Sequence, residues 1–165
     1  MDGKEVAMPK VLIVYYSRTG NTEKMAGYIA EGIKEEGVEV EVKRAEEAKP
    51  EDFLEADGVV MGSPTYYGTM AAELKKLLDD SVKYHGRLDG KVGGAFASSA
   101  QVGGGNETTV LDIVDALLIH GMVVQGDPQG DHYGPVSVGA PDGKVEEECR
   151  RRGRRIAQLV KKLAG

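Results

Sequence analysis

Residues Val11-Leu12-Ile13-Val14-Tyr15-Tyr16-Ser17-Arg18-Thr19-Gly20-Asn21-Thr22 pass from an apolar run of strand length into a small polar loop, and an amphipathic helical pattern starts directly after them. A strand, a tight loop and a helix N-terminus in so short a stretch make an anion site. The first N–H groups of the helix lack partners, the helix dipole is positive there, and Ser and Thr hydroxyls add neutral donors. A phosphorylated cofactor is the natural guest. Ser17, Thr19, Asn21 and Thr22 share this loop with one charge, Arg18, and one glycine, Gly20. A nucleoside triphosphatase loop would need a Lys-Ser/Thr pair after a glycine-rich turn, and a dinucleotide loop would show G-x-G-x-x-G; neither is here. An ordinary N-capped strand-to-helix turn is the plain alternative, since Ser, Thr and Asn cap helices well.

Outward from this stretch, strand-like and helix-like patterns alternate along the chain, the signature of a parallel sheet covered by helices on both faces. Lys10–Tyr16 reads as the first strand. Met25, Ile29 and Ile33 with Ala26 and Ala30 set the inner face of a helix that ends at Gly37. Val38, Val40 and Val42 alternate with charges, as in an edge strand with one solvated side. Gly58–Gly62 is a third strand, Ala72–Leu78 a compact helix, and Lys91–Ser98 a strand of small residues. A helix starting near Gly105 or Asn106 follows, then a fifth strand, Met122–Gln125, and a last helix with Ile156, Leu159, Val160 and Leu163 inward. Asp127–Gly143 shows no periodicity, and a loop of that length in a compact domain is usually functional.

The 165 residues suffice for one domain with a real core, and 41% hydrophobic with 29% charged residues describes a globular chain. Residues 1–9 lack the apolar centre of a signal peptide and read as a loose tail before a single domain, 10–165, expected in the cytoplasm. No stretch reaches membrane-spanning length, and a net charge of −6 argues against nucleic-acid binding. One cysteine, Cys149, excludes an internal disulfide, and beside Glu146, Glu147 and Glu148 it is badly placed to be a reactive thiolate. His85, His120 and His132 show no ligand spacing, so no metal is expected. Arg150, Arg151, Arg152, Arg154 and Arg155 read as a solvated helix face paired through Glu146–Arg150, Glu147–Arg151 and Glu148–Arg152.

Three loops fall at carboxyl ends of strands, where open α/β sheets bind ligands. The first is Ser17–Thr22. The second carries Ser63, Pro64, Thr65, Tyr66, Tyr67 and Gly68, two aromatics suited to stacking and a glycine that lets backbone come close. The third, Ser98–Gly105, carries Ser99, Ala100, Gln101, Val102, Gly103 and Gly104 and offers a run of accessible N–H donors. Together they supply a phosphate cradle, a stacking wall and a donor-rich wall. A phosphorylatable receiver domain shares the doubly wound topology but needs acidic residues and a lysine where this chain has Ser17, Ser63 and Gly126.

On these residues the chain resembles the flavodoxin superfamily, which binds flavin mononucleotide (FMN) in a three-layer α/β fold. Ser17-Arg-Thr-Gly-Asn-Thr22 resembles that family's phosphate loop throughout. Gly62-Ser-Pro-Thr-Tyr-Tyr-Gly-Thr-Met70, Gly103-Gly-Gly-Asn-Glu-Thr-Thr109, His120-Gly-Met122 and Tyr133-Gly134 with Gly139 are similar, in order, to the Trp-repressor-binding-protein-type NAD(P)H:quinone oxidoreductases. The resemblance implies a five-stranded parallel sheet of order 2-1-3-4-5. It also implies FMN phosphate on Ser17–Thr22, the flavin ring against Thr65–Gly68 with a Gly68-region peptide near N5, and its pyrimidine end on Ser99–Gly104. His120 would lie near the flavin and carry a catalytic role, and Tyr84 and His85 would lie at the substrate mouth. The implied activity passes electrons from NAD(P)H through FMN to a quinone or redox-protein acceptor, in a dimer or tetramer. The alternative is a flavodoxin carrier without its own substrate turnover. The resembled reductases carry an insertion after strand two that is missing here, where twelve residues separate Arg44 from Asp57.

Overall fold

A computed structural model describes residues 7–165; of the expected N-terminal tail, residues 1–6 lie outside the described residues. The elements run β1 Lys10–Tyr15, α1 Asn21–Glu35, β2 Glu39–Arg44, α2 Asp52–Glu55, β3 Gly58–Pro64 and α3 Ala72–Asp80 with a 3-10 turn at Ser81–Tyr84. They continue with β4 Val92–Ser99, α4 Asn106–Ile119, β5 Val123–Val124, β6 Val136–Val138 and α5 Gly143–Ala164. The sheet is parallel with order β2-β1-β3-β4-β5, and β6 also pairs with β4. The expected strand order is thus met.

Strand periodicity divides the core into two layers. Leu12 and Val14 of β1 join Val59 and Met61 of β3 under Leu74, Leu77, Val110, Ile113 and Leu117 of α3 and α4. Val11, Ile13 and Tyr15 face the other way, onto Met25, Ile29 and Ile33 of α1 and Ile156, Ala157 and Val160 of α5. Leu163, expected on the inner face of α5, is instead exposed, because the helix has by then run past the sheet. Cys149 is buried between α5 and this layer, and burial pushes its thiol up to about 12, which makes it inert at neutral pH.

The fifth strand differs from expectation. β5 pairs with the start of β4 through Val92↔Val123 and Gly93↔Val124, and β6 pairs with its end through Ala97↔Val136, Ser98↔Ser137 and Ser99↔Val138. One strand position is therefore filled twice, with residues 125–135 looping out between. Val136-Ser137-Val138, framed by Pro135 and Gly139, is too short for its alternation to be read within a glycine- and proline-rich run.

The arginines of α5 hold that loop, which corrects the expectation of a solvated face. Arg152 is 4% exposed and donates to Gln125 O (2.7 Å) and Asp131 O (2.9 Å). Arg151 grips Asp127 with Nε (2.7 Å) and Nη2 (2.9 Å), and Arg155 donates to Gly126 O at 2.8 Å. Of the expected pairs only Glu146–Arg150 forms among the described residues; Arg154 reaches Glu35 and Glu147 instead. Arg151 holds the Asp127 carboxyl well below the usual carboxylate range, with the Gln129 N–H adding to the effect. A lowered carboxyl pKa gives stability that is present above its unfolded value near 4 and lost as pH falls through the folded value. The stability difference between wild type and Arg151→Met should therefore be largest above about pH 5 and shrink steadily toward pH 2, as read by urea unfolding.

Candidate functional site

Parallel strands put the ends of β1, β3 and β4 side by side, with Tyr15 opposite Gly62 and Pro64 opposite Ser98. A crevice of about 220 Å3 opens there, lined by Ser17, Arg18, Thr19, Asn21 and Thr22 from the first loop, Pro64, Thr65 and Tyr66 from the second, and Ser98, Ser99, Ala100 and Gly139. The three loops expected to converge do so.

The phosphate-type loop closes on itself and is tied to the sheet. The Gly20 N–H donates to Ser17 Oγ (3.1 Å), an Arg44 guanidinium N–H donates to Ser17 O (2.6 Å), and the buried Thr22 and Ser98 hydroxyls share a hydrogen bond of 2.9 Å. Gly20 occupies the N-cap of α1 with φ 98°, and among the described residues no side chain caps this helix. An ordinary capped turn would use its Ser, Thr or Asn on the first helical N–H groups, as Asp142 of α5 does in accepting from the Val145 N–H at 2.9 Å. Among the described residues α1 shares the lack of a side-chain cap with α2, α3 and α4; what sets its N-terminus apart is that Ser17, Thr19, Asn21 and Thr22 line a crevice there. Among the described residues Arg18 is the one charged side chain that lines the crevice. The cradle is neutral donors, a helix N-terminus and one guanidinium, a set that fits a phosphate monoester.

The aromatic wall is equally specific. Tyr66 packs edge-on against Tyr16 with ring centroids 6.2 Å apart, and the Arg18 guanidinium lies 5.7 Å from its centroid. Burial pushes the Tyr66 phenol up from its usual value, so the ring stays neutral. Tyr67 is fully exposed beside it. Ser63 is buried and structural: its Oγ accepts from the Ala71 N–H and donates to Pro64 O, both at 2.8 Å. Gly20, Ser63, Tyr67, Gly68 and Gln101–Gly104 thus frame the crevice without lining it, and Gln101, Val102 and Gly103 are exposed.

Residues 12–108, more than half of the chain, match the flavodoxin domain. The chain belongs to the flavodoxin family. A flavodoxin of Aquifex aeolicus is 45% identical over 162 residues, covering 93% of this chain and 88% of the relative. An NAD(P)H dehydrogenase (quinone) of Archaeoglobus fulgidus is 32% identical over 190 residues, covering 94% and 100%. Among solved structures, a flavodoxin from the domain Archaea superposes with TM-score 0.77 at 31% identity over 92% of this chain and 99% of that one. A WrbA-like flavodoxin from Agrobacterium tumefaciens gives 0.79 at 26% over 93% and 98%.

One expected site residue of this flavodoxin-family chain is not with the others. His120 follows α4 at the opposite end of the sheet from the crevice, buried, with Nε2 2.8 Å from Ser81 Oγ. Ser81 gives its own hydrogen to Leu78 O (2.6 Å), so Nε2 is the donor and the neutral imidazole keeps its proton there. Burial and then the neighbouring His85 push its pKa down, consistent with that neutral form. His120 and His85 line a separate groove of about 510 Å3 between α3 and α4 with Leu78, Val82 and Ile119. Within one chain, His120 makes no contact with the crevice. Conversely, Ser98, expected as the first residue of the third loop but not as a cofactor contact, and Gly139, outside all three loops, both line the crevice. The Tyr133-Gly134…Gly139 similarity was the one sequence signal pointing to Gly139.

Proposed function

We propose that this chain binds FMN in the crevice and works as an electron-transfer flavoprotein. The observation that carries the reading is the crevice at the N-terminus of α1, where Ser17, Thr19, Asn21, Thr22 and Arg18 line one cradle beside an aromatic wall. Ser17, Thr19, Asn21 and Thr22 hold the phosphate, and Arg18 balances part of its charge while covering Tyr66. Tyr66, Thr65 and the exposed Tyr67 present a face for a planar ring, and Ser99 and Ala100 offer polar backbone from the opposite side. Bound FMN supplies the one- and two-electron chemistry; the chain supplies position, polarity and access.

The carrier reading is favoured by length. Two flavodoxin relatives align over 161 and 162 residues, close to the length of this chain, whereas the quinone dehydrogenases need 190 or more to align with it. The reading as an NAD(P)H:quinone oxidoreductase rests on a different observation: Ser63–Met70 carries no carboxylate, so the ring-side wall lacks the acidic charge that would steer a basic carrier partner. Visible spectra separate the two. Yellow protein that bleaches with NADH or NADPH under nitrogen and recolours with benzoquinone is a reductase; yellow protein indifferent to both nucleotides is a carrier. Thr19→Ile, at an exposed loop position, and Thr22→Val should each raise the Kd for FMN by about tenfold or more, since hydrogen bonds to a charged group contribute about 1.5 to 3 kcal/mol. Unchanged affinity in both would sink the phosphate assignment.

A further inference from the structure

The ring-side wall is held in a conformation its own sequence resists. Tyr66 and Thr69 exchange both backbone hydrogen bonds, N–H to O at 2.8 Å and 3.2 Å, and the two residues between them have positive φ, 49° at Tyr67 and 83° at Gly68. These are the values of a type I′ turn. Gly68 suits its place. Tyr67 does not: left-handed backbone costs a non-glycine residue about 1 to 2 kcal/mol, and among the described residues Tyr67 alone of the non-glycines adopts it. Its fully exposed ring gains no packing in exchange. Such strain persists only where the surroundings over-determine it.

The surroundings here are the first turn of α4. Gly105 packs so near that a Cβ on it would come within 3.3 Å of Gly68 Cα and of Thr65 Cγ2. The Thr109 hydroxyl lies 3.0 Å from Thr65 Oγ1, and Thr109 is buried. Thr108 is different. Its hydroxyl is exposed and reaches two acceptors, Gly68 O at 3.2 Å and Gly105 O at 2.9 Å, with one hydrogen to give. It can hold the Gly68 carbonyl, or release it to the helix's own carbonyl and stay satisfied.

Resting on the FMN reading above, we propose that Thr108 is a positioning residue, a latch that sets the Gly68 carbonyl and with it the strained Tyr67–Gly68 turn at the mouth of the crevice. The latch is reversible because the second acceptor is already in place, so the turn adjusts to the group beside it without breaking the grip of Thr109 and Gly105. Removing the hydroxyl leaves the Gly68 carbonyl without this donor, and the turn is then held by its backbone pair and the contacts of Gly105 and Thr109.

Two substitutions test this, Thr108→Val and Thr108→Ser, each read in two ways. In protein stripped of FMN, amide exchange at Tyr66 and Thr69, followed by NMR, should speed up about tenfold in Thr108→Val and stay near wild type in Thr108→Ser. In protein loaded with FMN, Thr108→Val should change the ratio of affinities for oxidised and reduced cofactor about tenfold, which is about 30 mV for a two-electron couple, while Thr108→Ser retains the wild-type potential. Wild-type exchange in Thr108→Val overturns the latch. Faster exchange with an unchanged potential overturns the positioning role and leaves a structural bond. If wild-type protein takes up no FMN, the site reading fails instead, and the exchange data still judge the latch.

Discussion

Gly153→Ala should lower the stability of this protein by about 2 to 3 kcal/mol, although the same change inside an ordinary helix raises it. Helix propensity alone favours alanine by about 1 kcal/mol. Against that gain, a Cβ at position 153 would stand 2.2 Å from Ile29 O and 3.0 Å from Ile33 N, both backbone atoms of α1. The contact is reciprocal, because a Cβ on Gly32 would stand 2.1 Å from Arg150 O. The two helices cross with backbone nearly against backbone, and neither atom can rotate away as a side chain would. Overpacking costs about 1 to 3 kcal/mol, occasionally more, and with rigid backbone on both sides the helices must part, which places this case at about 3 to 4 kcal/mol and the net loss at about 2 to 3. For a chain of this size the loss should lower Tm by about 5 to 10 °C. Gly27→Ala on α1, the facing helix, is the control, with nothing within 4 Å of the new Cβ, and should be neutral or slightly stabilising. Because one separation of the helices serves both sites, the Gly32→Ala, Gly153→Ala double variant should lose less than the sum of the single losses. A raised Tm for Gly153→Ala would mean the crossing is loose.

Most of the sheet was legible because its signals are local. Val11–Tyr15, Gly58–Gly62 and Lys91–Ser98 are apolar runs bounded by turn residues, and the alternation of strand and helix leaves few topologies once crossovers are right-handed. The three loops were legible for the same reason, since strand ends in a parallel sheet must share one edge. What the sequence hid was decided by distant partners. Val136–Val138 becomes a strand only because Ala97–Ser99 offers an unpaired edge beyond the point where β5 stops. The arginine run looked solvated because i,i+4 spacing sees its own helix and not Asp127 or the carbonyls of residues 125–131. His120 carried a motif similarity but no information on which end of the sheet it would occupy; the direction of α4 settles that. Within the crevice, Thr22 could be read as a phosphate donor, but not as the partner of Ser98, a buried link across the sheet between residues far apart in sequence.

Arg152→Met should be comparably damaging, and its effect should reach the crevice. Arg152 is almost wholly buried, and burial pushes its guanidinium below the usual arginine value, a cost the fold accepts because Nη1 and Nη2 satisfy Gln125 O and Asp131 O. Methionine fills much of the volume but strands both carbonyls, at about 1 to 3 kcal/mol for each one left unpaired, reduced where water reaches the exposed loop. A net loss of about 3 kcal/mol, or about 6 to 12 °C in Tm, is expected. Arg154→Met, which removes part-exposed ion pairs to Glu35 and Glu147, should cost under about 1 kcal/mol. The two variants also differ in where they act. Residues 125–135 lead directly into β6, whose pairing with Ala97–Ser99 places Gly139 in the crevice, with the Gly139 N–H donating to Ser99 O at 2.8 Å. Loosening that loop frees β6 at a free energy below that of global unfolding, so amide exchange at Val138 and Gly139 should quicken in Arg152→Met well before the rest of the sheet responds. FMN affinity should fall with it, by several-fold, since the Ser99 side of the crevice is then ordered at the expense of binding. In Arg154→Met both should stay at wild type. If Arg152→Met lost global stability while Val138, Gly139 and FMN affinity were untouched, the buried arginine would be a fastening of α5 alone, and the loop between β5 and β6 would have no part in shaping the site.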